Sequence, residues 1–199
     1  MLDANELKPL CEELRKFIIE NVSKTGGHLA SNLGTVELTV ALHRVYDSTR
    51  DRIVFDVGHQ SYAHKIITGR RDCFNTLRCH GGISGFPKPY EASDDAFIAG
   101  HASDSVSLAL GMARARTLKN EKYDVVAVIG VGALTGGLAY EGLANVGGCD
   151  EPMVIILNDN GMSINTNVGG MAKILSQERI KPGYITVSYT HLTLPTKRI

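Results

Sequence analysis

Three histidines of this chain each follow a glycine, in the pairs Gly27-His28, Gly58-His59 and Gly100-His101. Each pair falls in a segment whose composition predicts a loop. A neutral imidazole near pH 7 can both donate and accept a proton, so these histidines suit proton transfer to a reacting hydroxyl or carbonyl group. Three further histidines are interpreted as structural residues: His43, His64 and His80.

A glycine-rich turn, Gly130-Val131-Gly132, is the second chemical feature. Glycines at a turn allow the backbone to approach a phosphate closely. On its own, this pattern is equally typical of a dinucleotide-binding turn and of an ordinary strand-to-helix connection. Asn160 changes the balance, because an Asn amide oxygen and a nearby backbone carbonyl are suitable ligands for Mg²⁺. The two loops together favour a diphosphate site built around Mg²⁺.

The elements that could position these residues follow from the spacing of apolar side chains. Three short runs rich in Val and Ile, at 52–56, 124–129 and 153–157, predict buried parallel strands. Because helical patterns lie between them, the predicted class is α/β, with a mostly parallel sheet flanked by helices. The helical spacing covers three stretches: from Leu7 to about Ser23, 36–46 and 103–119.

Loops at the carboxyl ends of these strands are the expected location of a ligand, because helix amino termini direct their N–H groups there. Those loops are 56–60, 130–133 and 158–163. We therefore expect the turn around Val131 and the side chain of Asn160 to lie side by side. Two other glycine-containing segments are predicted to be loops: 23–34 and 81–89.

Composition argues against several classes of protein. The 199 residues carry 21 basic and 21 acidic side chains, so the zero net charge provides no field for nucleic acid or an anionic membrane. The four cysteines form no CxxC pair, which disfavours a zinc site. The first residues form no export signal, and no apolar run approaches the roughly 18 residues of a membrane span. We expect a cytoplasmic protein that binds small molecules.

Five segments form an ordered series along the chain: 23–38 (SKTGGHLASNLGTVEL), 56–60 (DVGHQ), 68–71 (TGRR), 100–103 (GHAS) and 157–164 (LNDNGMSI). Together they resemble the successive signatures of the 1-deoxy-D-xylulose-5-phosphate synthase family, whose members are transketolase-like. The resemblance extends from about Leu7 to Gly183.

The resemblance implies a transferase reaction that depends on thiamine diphosphate and Mg²⁺. Pyruvate loses carbon dioxide, and its remaining two-carbon unit is transferred to D-glyceraldehyde 3-phosphate. The product, 1-deoxy-D-xylulose 5-phosphate, serves isoprenoid, thiamine and pyridoxal synthesis. The cofactor supplies the electron sink, and the protein supplies position and electrostatics. The family is generally dimeric, so a homodimer is expected at full length.

The same resemblance implies roles for individual residues. His28 and His101 match catalytic histidines that face the reacting carbons. Mg²⁺ would be ligated by Asn160 and by the backbone carbonyl of Met162. Thiamine diphosphate would be contacted by seven residues: His59, Gly100, His101, Ala102, Gly132, Ala133 and Asn160.

Three positions depart from the family pattern. The family's diphosphate turn carries an Asp that ligates Mg²⁺, whereas this chain has Val131 there. Valine offers no oxygen, so the metal loses a carboxylate ligand and we expect weak cofactor binding. Gly161 stands where Glu is frequent, and Asp104 stands where a small hydroxyl residue is usual.

Residues 1–186 are expected to form a diphosphate-binding domain that is incomplete at its C-terminal side. In the family, the glutamate that activates the pyrimidine ring and the basic residues for the substrate phosphate lie further along the chain. We therefore expect this fragment to be inactive alone. Residues 187–199 continue neither a helical nor a strand pattern, and they are predicted to be a non-native tail.

Two other functions stay open. An NAD(P)-dependent oxidoreductase would use Gly130-Val131-Gly132 as its dinucleotide turn, with Asp159 near the ribose. However, Thr135 stands where that turn normally has a third glycine or alanine. A non-catalytic relative that binds a partner would explain Val131.

Overall fold

The computed structural model describes residues 3–159 and, beyond them, only Gly170, Lys173, Ile174 and Gln177. The chain divides into two compact units, 1–162 and 163–199. The helices and strands with defined bounds belong to the first unit.

Helices and strands alternate along this unit. Within the described part of the chain, no helix is both long and apolar enough to cross a membrane. In order, the elements are α1 (Ala4–Thr25), α2 (Leu29–Leu33), α3 (Val36–Val45), β1 (Arg52–Phe55), α4 (Tyr62–Lys65), a π-helical turn (Ile66–Arg70), a 3-10 turn (Phe74–Thr76), α5 (Ser105–Lys119), β2 (Val125–Gly130), α6 (Val131–Leu134), α7 (Gly137–Gly147) and β3 (Val154–Asn158).

Three parallel strands form the sheet, in the order β1, β2, β3. The central strand is β2, and its residues 125–129 are at most 1% exposed. Burial on both faces explains why this strand is an unbroken apolar run rather than an alternating one. The predicted α/β class with a parallel sheet flanked by helices is confirmed, and each predicted strand lies within one residue of its observed bounds.

Helices cover the two faces of the sheet. On one face, Leu42 of α3 packs with Phe55 and Val128. On the other face, Ala113 of α5 packs with Val54, and the small side chain allows the helix to approach the sheet closely. The sheet is thereby fixed between α3 and α5, with its strand ends free to carry loops.

A third cluster of apolar side chains joins α1 to the region after β1. Leu14 and Ile18 of α1 pack with Tyr62 of α4 and with Phe74. Tyr62 and Phe74 are both fully buried, with ring centroids 5.8 Å apart in an edge-on arrangement. This cluster anchors the helix that leads into the first glycine-histidine pair.

The prediction of a loop at 23–34 is wrong at both ends. α1 continues to Thr25, and α2 occupies most of the second half of the predicted loop. The side chain of Asn32 explains the short helix. Its Nδ2 donates to the carbonyls of His28 (2.6 Å) and His59 (2.7 Å), and its Oδ1 accepts from the Tyr62 amide (2.8 Å). The bonds to His59 and Tyr62 are long-range, so tertiary contacts rather than the local sequence stabilise this short helix.

Candidate active site

The carboxyl ends of the three strands meet at one edge of the sheet. Gly130, the last residue of β2, is paired with Asn158, the last residue of β3. The turn that begins at Val131 therefore starts directly beside the segment that leads towards position 160. Asn160 and Met162 lie outside the described residues, as does the predicted tail at 187–199, so these assignments stay predictions.

Asp56, which follows β1, fixes the segment that contains the third glycine-histidine pair. Its buried carboxylate accepts hydrogen bonds from the amides of Ser103 (2.8 Å) and Ser105 (3.0 Å). The two amides lie at the N-terminus of α5, where a carboxylate is favoured by the helix dipole. One residue further on, the Val57 amide donates to the His101 carbonyl (3.1 Å). Residues 100–102 are thus held at the end of β1.

Ser103 connects that segment to the glycine-rich turn. Its hydroxyl donates to the Ala133 carbonyl over 2.6 Å, and its backbone adopts a left-handed conformation with φ of 75°. A Cβ at Gly136 would overlap this hydroxyl, so glycine is required there. The loops after β1, before α5 and after β2 are therefore joined by hydrogen bonds from Asp56 to Ala133.

His28 and His59 lie together, with ring centroids 5.1 Å apart in an edge-on arrangement. Burial lowers the pKa of His28, and the positive charge of Arg78 lowers it further. Burial also lowers the pKa of His59, and His28 adds to that effect. Both rings are consequently neutral at pH 7, which is the form that can accept a proton.

One nitrogen of this pair is buried without a hydrogen-bond partner. Nδ1 of His59 is buried, and nothing within the described residues donates to it or accepts from it. Buried polar atoms are nearly always satisfied in proteins, so an unpartnered one indicates a place for a ligand or water. The orphaned nitrogen fits the prediction that His59 contacts a cofactor.

His101 takes a different position from the other two histidines. It is exposed, and the contact that fixes it runs through its backbone carbonyl to Val57. The structure thus brings His28 and His59 into ring contact and places the backbone of the third pair at the end of β1.

A segment that the sequence showed only as a loop forms a further wall of the site. Phe86 lies beside His28, with ring centroids 6.4 Å apart. Gly58 has a φ of 81°, and a Cβ there would lie 2.6 Å from atoms of Pro87 and Ala99. In the sequence, Pro87 and Gly58 indicate only that the backbone is constrained at each position. The structure shows that these two residues lie against each other.

Val131 is the first residue of α6 and is 7% exposed. The space around Gly132 is open, which suits close approach of a phosphate to the backbone. Among the described residues, no group of three or more His, Cys, Asp or Glu side chains could hold a metal ion. The open backbone at Gly132 therefore fits a diphosphate, whereas the side chain of Val131 has no oxygen to offer Mg²⁺.

Asp104, one of the positions that departs from the family pattern, lies at the N-cap of α5. Burial raises the pKa of its carboxyl group, and the nearby charge of Asp56 raises it further. Asp104 therefore adds a second carboxyl group near the N-terminus of α5, where the buried carboxylate of Asp56 already accepts from two amides.

Comparison with known proteins adds a separate line of evidence. A family profile described as 1-deoxy-D-xylulose-5-phosphate synthase matches residues 1–196. The protein of that name from Alkaliphilus oremlandii is 57% identical over 186 residues, which cover 94% of this chain and 30% of the relative. Its namesake from Clostridium kluyveri is 58% identical over 183 residues, covering 92% and 29%. The chain spans about 30% of the length of the curated relatives that it matches.

Proposed function

We propose that this chain, which belongs to the 1-deoxy-D-xylulose-5-phosphate synthase family, forms the wall of a thiamine diphosphate site that receives the diphosphate and the reacting end of the cofactor. The observation that carries the proposal is the meeting of three loops at one sheet edge. Gly130 is paired with Asn158, and Asp56, Ser103 and Ala133 are linked in series.

The residues of this edge would act in two ways. The backbone of Gly132 and Ala133, together with residues 100–102, would bind the diphosphate, because the space at Gly132 and Gly100 is open and both segments lie near a helix amino terminus. His59 would orient the cofactor through its unpartnered Nδ1. His28 and His101 would move protons at the hydroxyl and carbonyl oxygens of the substrates.

When bound, thiamine diphosphate would supply the electron sink for decarboxylation of pyruvate and transfer of a two-carbon unit to D-glyceraldehyde 3-phosphate. The product would be 1-deoxy-D-xylulose 5-phosphate, a precursor for isoprenoids, thiamine and pyridoxal. This activity and a homodimeric assembly are proposed for the complete protein, since the chain spans about 30% of its relatives.

Mg²⁺ would be held by Asn160 and by the Met162 carbonyl, with position 131 as the third protein ligand. Val131 offers no oxygen, and a lost ligand removes part of the charge that neutralises a diphosphate. We propose that this chain binds the cofactor weakly for that reason.

A titration of this chain followed by histidine NMR signals tests the choice of cofactor. Thiamine diphosphate with Mg²⁺ should shift the ring signals of His28 and His59, because their rings touch and one nitrogen is free to respond. The exposed His80 serves as an internal control and should not move. NAD⁺ should leave all of these signals unchanged.

Two results would contradict the proposal. Binding of NAD⁺ with shifts at the glycine-rich turn would favour the oxidoreductase. Absence of thiamine diphosphate binding, even when Asp is placed at position 131, would favour a non-catalytic relative.

A further inference from the structure

A group of charged side chains is buried beside the candidate site but takes no part in the contacts described above. We call it the buried ionic cluster: His64, Lys65, Arg70, Glu91 and Asp95. The side chains of Lys65 and Asp95 are 0% exposed, and that of Glu91 is the most exposed, at 12%. Burial of so many charged side chains is unusual and calls for a physical reason.

Asp95 is the centre of the buried ionic cluster. It accepts a hydrogen bond from Nε2 of His64 (2.9 Å) and two from the guanidinium of Arg70 (2.7 and 2.8 Å). Burial alone would raise the pKa of Asp95, but the hydrogen bonds from His64 and Arg70 outweigh it, so the pKa is lowered and the carboxylate stays charged. The same carboxylate also accepts from the backbone amide of Lys88 (2.6 Å).

Glu91 repeats this arrangement a few residues away. It accepts a hydrogen bond from Nζ of Lys65 (2.6 Å) and another from the backbone amide of Ser84 (2.7 Å). Two anchored carboxylates thus hold two amides of one segment, and Phe86 and Pro87 lie between those amides.

The segment that contains Ser84 and Lys88 has no regular secondary structure. Residues 77–104 contain no helix or strand, so no ladder of backbone hydrogen bonds fixes their path. Nevertheless, Pro87 packs on Gly58 and Phe86 lies beside His28. The two carboxylates supply the constraint that secondary structure does not.

We propose that the buried ionic cluster is a positioning device for the candidate site, which sets Phe86 and Pro87 against His28 and Gly58 by holding the amides of Ser84 and Lys88. Well-packed apolar residues are often at least as stabilising as buried ion pairs, so stability alone does not explain why charges are buried here. What the positioned wall binds rests on the proposed function, whereas the positioning itself does not.

The variant Asp95→Asn, made in this chain and followed by NMR, tests the inference. Asn preserves the shape of the side chain but removes the charge that orders Arg70, so the amide of Lys88 should exchange at least about tenfold faster. The ring signals of His28 and His59 should shift as Phe86 moves. The Lys88 amide should accelerate more than the amides of β2, whose exchange rates report any general loss of stability from the buried charges left on Arg70 and Lys65.

The matched control is Glu13→Gln, which makes the same change of charge at an exposed ion pair with Arg71. It should alter neither the Lys88 amide nor the histidine rings. If Asp95→Asn does not fold, Glu91→Gln tests the second tether, and the Ser84 amide should then exchange faster while the rings of His28 and His59 shift.

The outcomes separate the two proposals. The positioning role would be overturned if the Lys88 amide exchanges faster in Asp95→Asn, or the Ser84 amide in Glu91→Gln, while the histidine signals stay in place. An unchanged exchange rate of that amide would overturn it as well. Shifted rings in a chain that gives no response to thiamine diphosphate would support the positioning role and contradict the proposed function.

Discussion

At the scale of single residues, two histidines that the sequence suggested to be structural form a hydrogen-bonded pair. His43 and His64 share a hydrogen bond of 2.9 Å, and their rings are stacked with centroids 5.0 Å apart. Burial lowers the pKa of His43 to about 4, and His64 lowers it further, while Asp94 acts in the opposite direction. His43 is therefore mostly neutral in the folded chain above about pH 5.

Because the pKa of His43 is lowered, we expect the folded chain to lose stability in mild acid. The pKa of His43 lies below its ordinary value of 6.5, so the unfolded chain binds more protons between about pH 4 and 6.5. The contribution is present above pH 6.5 and is lost as the pH falls towards 4. From about pH 7.5 to pH 5, the free energy of unfolding should fall by about 1–2 kcal/mol more in this chain than in His43→Gln. Chemical denaturation at both pH values measures this, and equal losses would contradict the assignment.

The sequence identified the candidate histidines but not the residues that hold them. The glycine-flanked pattern pointed to His28 and His59, which the structure brings into ring contact. Asp56 and Ser103 stand 47 residues apart, and their hydrogen bond depends on the fold that brings the end of β1 beside the start of α5. No local pattern could show that contact, because both residues fit ordinary loops.

At the scale of elements, Gly58 shows why one backbone position cannot carry a side chain. Its left-handed φ of 81° and the contacts of a Cβ with Pro87 and Ala99 both oppose substitution. Gly58→Ala should lower the free energy of unfolding by about 2–4 kcal/mol, since strain and steric overlap add. Gly81→Ala is the control, because Gly81 has a similar φ of 74° but open space around it. It should lose only about 1 kcal/mol, and equal losses at the two positions would show that Pro87 gives way.

The hydrogen bond between Ser103 and Ala133 joins α5 to the turn after β2. Ser103→Ala should lower the free energy of unfolding by about 1 kcal/mol and shift the backbone NMR signals of residues 131–133. Ser23→Ala removes a hydroxyl that bonds only within α1, to the Glu20 carbonyl, and should leave those signals in place. Unchanged signals in Ser103→Ala would show that this hydrogen bond does not position the turn after β2.

Among the elements, strands were more predictable than the connections between them. The three Val- and Ile-rich runs were placed to within one residue, because burial on both faces demands an unbroken apolar sequence. The short α2 was missed, since Asn32 stabilises it through contacts with His59 and Tyr62, about 30 residues away. The wall at Phe86 and Pro87 was missed for the same reason, because its anchors are charges buried elsewhere.

At the scale of the whole molecule, the fold brings together loops that are far apart in the sequence. Parallel pairing of β2 with β3 places Gly130 opposite Asn158. This agrees with the expectation that the turn at Val131 and the segment towards Asn160 lie side by side. The chemistry at the end of that segment stays a prediction, because Asn160 and Met162 lie outside the described residues.

The central claim is that position 131 belongs to a metal-bridged diphosphate site. The most direct test is calorimetric titration of thiamine diphosphate and Mg²⁺ into this chain, Val131→Asp and the uncharged control Val131→Asn. Restoring a carboxylate ligand should tighten binding at least about tenfold over this chain, with a smaller gain for Asn, and the gain should disappear without Mg²⁺. Equal affinities for the three proteins in the presence of Mg²⁺ would contradict the claim.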